Sequence, residues 1–220
     1  MRTRVKICCM ASAAEVRAAV MAGADAIGAV GPMPSGPGPV DDATARAVLD
    51  ATPPPVAGFL LTSETAAEAI IAHTARTGAS TVQIVRHVEP GQHHRIRGEA
   101  PWLRIVQVVH VEDEGSVALA RGYAGTADAL LLDSGRPGAE TAELGGTGRV
   151  HDWSLSRRIV SLVDKPVFLA GGLTEANVGE AIDTVRPFGV DLCSGVRTMG
   201  KLDVRKLSGF FAAVRRTDGR

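Results

Sequence analysis

Short runs of aliphatic residues alternate with helix-patterned stretches from one end of this chain to the other, and that alternation limits the fold more than any other feature. The runs are Val5–Cys9, Ala26–Val30, Val56–Leu61, Thr81–Val85, Arg104–Val109, Ala129–Asp133, Val167–Ala170 and Val190–Ser194. Each is continuous rather than alternating, which suits strands buried on both faces of a parallel sheet. Between them lie amphipathic stretches. Ser12-Ala13-Ala14-Glu15 reads as a capping box, with Val16, Ala19 and Val20 following on one helical face. Asp41 and Asp42 precede Ala45, Val48 and Leu49; Ser63 precedes Ala66, Ala69, Ile70 and His73. Thr174-Glu175 opens a stretch carrying Val178, Ala181, Ile182 and Val185, and a last helix is expected near Val204–Val214. Only the connection after Val85 reads poorly as a helix, because Pro90 and Gly91 shorten it, so His93-His94 reads as a solvated loop.

Alternating βα units leave two architectures, an open doubly wound sheet or a closed barrel. Eight units in 220 residues favour the barrel, at the small end of its range. The first turn reads Cys8-Cys9-Met10-Ala11-Ser12, which lacks the glycine fingerprint of a dinucleotide site. The expected fold is therefore α/β, a (β/α)8 barrel forming a single domain over residues 1–220. The Gly31–Pro39 run has the composition of a linker, but the alternation resumes at once, so it belongs to the loop after the second strand.

Charge narrows the partners. Lys plus Arg and Asp plus Glu are 24 each, and aromatics make up only 4%. A nucleic-acid binder wants a basic excess and stacking platforms, so no nucleic-acid partner is expected. No run approaches the ~20 apolar residues of a membrane helix, so no membrane partner is expected either. Arg2, Arg4 and Lys6 before Ile7–Ala11 imitate a signal segment too faintly to count as one. Cys8, Cys9 and Cys193 show neither zinc nor redox spacing. No metal and no disulfide framework are implied, and a reducing cytoplasm is the plain reading.

In such barrels the chemistry sits at the carboxyl ends of the strands. Gly171-Gly172 ends the seventh strand and Ser194-Gly195 the eighth. Glycines there let backbone N–H groups approach an anion, and these two loops commonly hold a phosphate; a tight turn alone would also explain them. Asp133 closes an apolar strand, where desolvation raises a carboxyl toward use as a general acid; a helix N-cap would suit the same position. Cys8 ends the first strand as a base, a nucleophile or a small buried hydrophobe. Cys193 is expected near Cys8 through packing, not through a disulfide. Gly145, Gly146 and Gly148 suit the hinges of a mobile loop.

With these motifs in chain order, the sequence resembles the phosphoribosylanthranilate isomerase family. The matching pieces are Lys6-Ile7-Cys8, Gly23-Ala24-Asp25-Ala26-Ile27-Gly28, Val82-Gln83-Ile84 and Leu131-Leu132-Asp133-Ser134. Gly145-Gly146-Thr147-Gly148 with Asp152-Trp153, Leu169-Ala170-Gly171-Gly172-Leu173 with Asn177-Val178, and Val190-Asp191 with Ser194-Gly195-Val196 complete the set. The resemblance implies an Amadori rearrangement of an N-(5-phosphoribosyl) arylamine, an aldose–ketose isomerisation of tryptophan biosynthesis that needs no cofactor. It implies Cys8 as the base at sugar C2 and Asp133 as the acid at the ring oxygen. Gly146, Gly171, Gly172, Ser194 and Gly195 would bind the substrate and its phosphate. The protein would work as a monomer or homodimer in the cytoplasm. The sequence departs from the family at Gly38, which stands where the family has an Arg for the anthranilate carboxylate. Arg86 and Arg197 are the candidate replacements, with Arg86 assigned to substrate binding. A related isomerase with another aglycone, or a non-catalytic phosphosugar-binding barrel, are the alternatives.

Overall fold

The computed structural model describes residues 2–135 and 150–219. Eight parallel strands close into a barrel in chain order, β1 beside β2 and so on round to β8 beside β1. They are β1 (Arg4–Ile7), β2 (Ala26–Val30), β3 (Ala57–Thr62), β4 (Thr81–Ile84), β5 (Arg104–His110), β6 (Ala129–Asp133), β7 (Val167–Leu169) and β8 (Gly189–Leu192). The intervening helices are α1 (Ala13–Ala22), α2 (Asp42–Asp50), α3 (Ala67–Thr77), α4 (Pro90–Glu99), α5 (Gly115–Ala124), α6 (Trp153–Leu162), α7 (Val178–Val185) and α8 (Val204–Asp218). A small hairpin, β9 (Arg197–Thr198) with β10 (Lys201–Leu202), precedes α8.

Strand parity sorts the apolar residues into two cores. Val5, Ile7, Ile27, Leu60, Val82, Ile84, Ile105, Leu130, Leu169 and Val190 face outward and pack with the helices in one cluster. Their alternate neighbours Ala26, Phe59, Leu61, Val106, Leu131 and Phe168 form a second cluster inside the barrel. Because both faces are buried, the strands read as unbroken apolar runs. β2 and β6 have the bounds the sequence suggests. At four ends the apolar run outlasts the strand, β1 ending at Ile7, β4 at Ile84, β7 at Leu169 and β8 at Leu192, while β3 and β5 run one residue past the expected ends, to Thr62 and His110. Cys8, Val85 and Ala170, which follow three of these ends, stay buried and still donate one backbone hydrogen bond each to the neighbouring strand, and so they read as strand.

Helix starts follow local capping. Ser12 Oγ accepts from the Glu15 N–H at 3.3 Å, while Glu15 Oε2 reaches back to the Ala11 N–H at 3.1 Å. Asp41, Asp152 and Asp203 cap α2, α6 and α8 with side-chain oxygens. The expectation of no helix after Val85 is corrected: Pro90 sits in the first turn of α4, where its missing N–H costs nothing. His93 is accordingly not solvated. It is fully buried on α4, with Nε2 3.0 Å from Gln107 Oε1 and Nδ1 2.8 Å from Thr126 Oγ1. α7 begins at Val178 rather than Thr174, because Asn177 Oδ1 takes the Thr174 N–H and holds that segment as a turn. Ser63 caps nothing on α3; its hydroxyl donates to Pro32 O at 2.9 Å and ties the β3 end to the loop after β2.

Candidate active site

Lys6 and Cys8, two residues apart on β1 and its extension, both turn toward the barrel interior. Gly28 on β2 makes room for them: a Cβ there would lie 3.0 Å from Cys8 Sγ and 3.3 Å from Lys6 Nζ. Lys6 is fully buried, and Nζ donates to Asp191 Oδ1 on β8 at 2.9 Å. Burial disfavours the ammonium, but Asp191 and the Cys8 sulfur outweigh it and hold Lys6 above the ordinary lysine value. Burial also pushes the Cys8 thiol up, against the pull of Lys6, to about 11. At neutral pH Cys8 is thus a thiol with an ammonium beside it.

Asp133 ends β6 on the same interior. It is 9% exposed, and Oδ1 accepts the Ser134 N–H at 2.7 Å. Burial raises its pKa, and that outweighs the Ser134 hydrogen bond and the nearby His110. The environment therefore shifts Asp133 toward the protonated form, the one a proton donor needs.

Cys8 and Asp133 open on one cavity at the carboxyl ends of the strands. Cys8, Asp133, Gly171, Gly172, Ser194 and Gly195 all line it, together with Gln83 and Asp191. The β7 and β8 loops meet backbone to backbone. A Cβ on Gly195 would fall 2.1 Å from Leu173 O, and Gly171 and Gly172 hold φ of 87° and 63°. Gly195→Ala is therefore expected to push these loops apart, costing about 1–3 kcal/mol in urea unfolding. It should also raise KM for any ligand held there.

Met33, Ser35, Gly36 and Pro37 from the loop after β2 form another wall. Gly38 follows with φ of 80°, and a Cβ on it would lie 2.6 Å from Cys9 Cβ. The backbone bend and the Cys9 side chain both exclude a longer residue there. The expected packing of Cys193 against Cys8 without a disulfide is corrected. Cys193 is joined to Cys9, with Cα atoms 5.9 Å apart, and Cys8 is the free thiol. Cys9 adopts a left-handed φ of 63°, which breaks the alternation that placed Cys8 level with Cys193.

Of the two arginines singled out in the sequence, neither lines the cavity. The Arg197 guanidinium is held by Glu15 at 3.1 Å and by Gly200 O at 2.9 Å. Its ties to Glu15 hold that carboxyl below its usual range despite burial. Arg86 follows β4 at the same end of the barrel, with Nε buried and without a hydrogen-bond partner. Gly146, with Gly145 and Gly148, lies outside the described residues. Among the described residues, no cluster of side chains fits a metal ion, and no helix is long and apolar enough to cross a membrane.

Lys6 and Asp191 were not singled out for chemistry by sequence reasoning. The signal was present: each is a charged residue inside an apolar strand run, and two such positions of opposite sign invite pairing.

Comparison with known proteins gives this geometry a family. The family model for N-(5'-phosphoribosyl)anthranilate (PRA) isomerase matches residues 5–213. The N-(5'-phosphoribosyl)anthranilate isomerase of Methanocella arvoryzae is 36% identical over 216 residues, covering 98% of this chain and 99% of its own. A monomeric form of the dimeric phosphoribosylanthranilate isomerase from Thermotoga maritima superposes with a TM-score of 0.81 at 26% identity, covering 97% of this chain and 99% of its own. A phosphoribosylanthranilate isomerase in complex with reduced 1-(o-carboxyphenylamino)-1-deoxyribulose 5-phosphate superposes with a TM-score of 0.79 at 27% identity and the same coverage. With the family's span matched by strands β1 to β8 and most of α8, the chain belongs to the N-(5'-phosphoribosyl)anthranilate isomerase family.

Proposed function

We propose that this barrel acts as one domain that isomerises N-(5-phosphoribosyl)anthranilate to the 1-arylamino-1-deoxyribulose 5-phosphate, a step of tryptophan biosynthesis. The observation that carries this reading is a buried Asp133 with a raised pKa and a free Cys8 thiol on one cavity beside the paired glycine loops. The phosphate sits against Gly171, Gly172, Ser194 and Gly195, where backbone N–H groups are within reach of an anion. Gly146 joins them on sequence grounds alone. Asp133 gives its proton to the furanose ring oxygen, the C1–O bond breaks, and the arylamine nitrogen lone pair forms the Schiff base. Cys8, as thiolate, then takes the C2 proton. The C2–H electrons form the C1–C2 double bond, and the resulting enolamine tautomerises to the ketone. Two groups of suitable pKa are enough for this sequence.

The working place under this reading is the cytoplasm, since a phosphorylated sugar crosses a bilayer poorly. The working unit is a monomer or a homodimer, without nucleic acid. The direct test is turnover: purified protein converts phosphoribosylanthranilate to the ketose product, followed by chromatography. No conversion, together with no rescue of a strain lacking this isomerase, sinks the assignment.

A second reading keeps the chemistry and changes the aglycone. It is favoured by Gly38, which cannot carry a guanidinium, and by a cavity wall with no basic side chain among the described residues. Arg86 decides between the two. If it turns in to meet a carboxylate, Arg86→Met raises KM for phosphoribosylanthranilate about tenfold or more, the usual loss with a charge-assisted pair, and leaves phosphoribosylaniline unchanged. Equal KM for both substrates in the unaltered protein, and no response to Arg86→Met, selects an aglycone held without its carboxylate.

A further inference from the structure

The Cys9–Cys193 disulfide bridges two walls of the cavity and touches a third. Cys9 continues β1 past Cys8, and Cys193 joins β8 to Ser194 and Gly195. The backbone ladder between these two strands runs on as far as the Cys8 N–H, which donates to Leu192 O at 2.9 Å. Past it the two segments are tied by the disulfide, whose cysteines lie 184 residues apart, and by the Arg197 guanidinium, which donates to Cys9 O at 2.5 Å. The third wall is the loop after β2. Cys9 Sγ lies 3.5 Å from Pro37 O, and Gly38 abuts Cys9 Cβ. One bond thus sets the spacing of the segment that carries Cys8, the loop that carries Gly195 and the wall made by Met33 to Pro37.

Its two sulfurs are not equally reachable. Cys9 is 5% exposed, whereas Cys193 is half-buried, and both line the cavity. Exchange requires a thiolate to reach one sulfur of the bond, so Cys193 is the point of attack. Cys8, the third cysteine, does not compete for it. Burial holds that thiol at about 11, so it stays protonated at neutral pH. In a reducing compartment a disulfide of this kind is a transient, redox-sensing bond rather than a permanent staple.

Resting on the function and the cytoplasmic placement proposed above, we propose that Cys9–Cys193 is a thiol–disulfide exchange site for a dithiol reductant, and that the bond, while intact, holds the cavity in its sugar-phosphate-binding shape. A thiolate of the reductant attacks Cys193 Sγ. The S–S bond breaks, and its electron pair leaves on the Cys9 sulfur, which takes a proton. The second thiolate of the reductant then attacks its own sulfur in the mixed disulfide and frees Cys193, which takes the other proton. Two electrons pass from the dithiol to the cystine, and the reductant departs as its own disulfide. Its oxidised form reverses the step.

The test equilibrates the full chain in buffers of reduced and oxidised dithiothreitol, then counts thiols and measures ribulose 5-phosphate binding by calorimetry. After oxidised buffer the denatured protein should show one thiol, Cys8, and after reduced buffer all three. The reduced form should bind about tenfold more weakly, because the loosened walls must then be ordered on binding. Its melting temperature should fall by about 5–15 °C. By linkage, saturating ribulose 5-phosphate should make the bond harder to reduce by about 30 mV, the same tenfold read from the other side. Cys193→Ser should bind like the reduced parent and ignore dithiothreitol, while Cys8→Ser keeps the response. The parent in its two states carries the test if a variant does not fold. Three thiols after oxidised buffer overturn the inference, as do equal affinity in both states, no binding in either, or a response that persists in Cys193→Ser. Loss of the response in Cys8→Ser would move the bond to Cys8 and overturn it too. Turnover of phosphoribosylanthranilate is scored separately. Binding that follows the redox state without turnover sinks only the isomerase assignment.

Discussion

Asp133→Asn is expected to lower kcat/KM by about 10²–10⁴, the range general acid catalysis supplies, while binding of ribulose 5-phosphate changes little. The side chains have the same shape, so the loss reports the proton and not the fit. The pH profile makes the prediction sharper. Burial raises Asp133 and pushes Cys8 to about 11, and the reaction asks for Asp133 protonated with Cys8 ionised. That is the minor arrangement whenever the acid has the lower pKa of the two. Its population climbs with pH up to the Asp133 pKa and is flat between the two values. There each tenfold loss of acid is matched by a tenfold gain of thiolate. It falls again above about 11. The parent enzyme should therefore show a broad plateau in kcat/KM, with apparent pKa values that belong to the pair. In Asp133→Asn only Cys8 still titrates, so the residual rate should rise tenfold per pH unit through the alkaline range. A flat residual profile, or near-parent activity, would remove Asp133 from the chemistry.

Much of this site was legible in the sequence because barrels place chemistry where strands end, and those ends are punctuated by residues that do not belong in an apolar run. Asp133 after three leucines and Gly171-Gly172 after β7 are readable for that reason. The strand ends themselves were less legible. Cys8, Val85 and Ala170 stay buried past the strand ends and keep a single backbone bond to the neighbouring strand, and composition records burial rather than full pairing. Pro90 looked like a breaker because sequence alone does not separate the middle of a helix from its first turn. The deepest misses involve partners far apart in the chain. Arg197 looked free until Glu15, a helix-capping residue on α1, was found across its guanidinium. The Cys9–Cys193 bond depends on a left-handed backbone at a non-glycine residue, which residue type does not announce. Gln83 stands in a matching motif, Val82-Gln83-Ile84, and Gln107 does not, but the burial of each and the partners of Gln107 show only in the structure.

Asp191→Leu alone is expected to cost about 3–5 kcal/mol of stability, because it leaves the Lys6 ammonium in the barrel without its counter-charge. Lys6 has no exposed surface and Asp191 almost none, 0% and 7% for the two side chains, so water cannot screen what the substitution exposes. The double variant Lys6→Met/Asp191→Leu removes both charges and should recover most of that loss, since the pair's Coulomb energy is largely spent on its own desolvation. Urea unfolding of the parent, the two single variants and the double variant gives the coupling directly. Activity should not follow stability back. Burial drives the Cys8 thiol toward its neutral form, and Lys6 is the charge that opposes this. Without Lys6 the thiolate becomes scarcer, and a shift of two pKa units, well inside the range for buried groups, would lower the active fraction by about 100-fold. Losing Asp191 also removes a charge that raises Asp133, so the acid limb moves down while the alkaline limb, with Lys6 gone, moves up. A double variant that is stable and fully active would reduce the ion pair to a structural role. One that is stable, slow and shifted in its alkaline limb assigns Lys6 the task of holding the Cys8 thiolate within reach of the reaction.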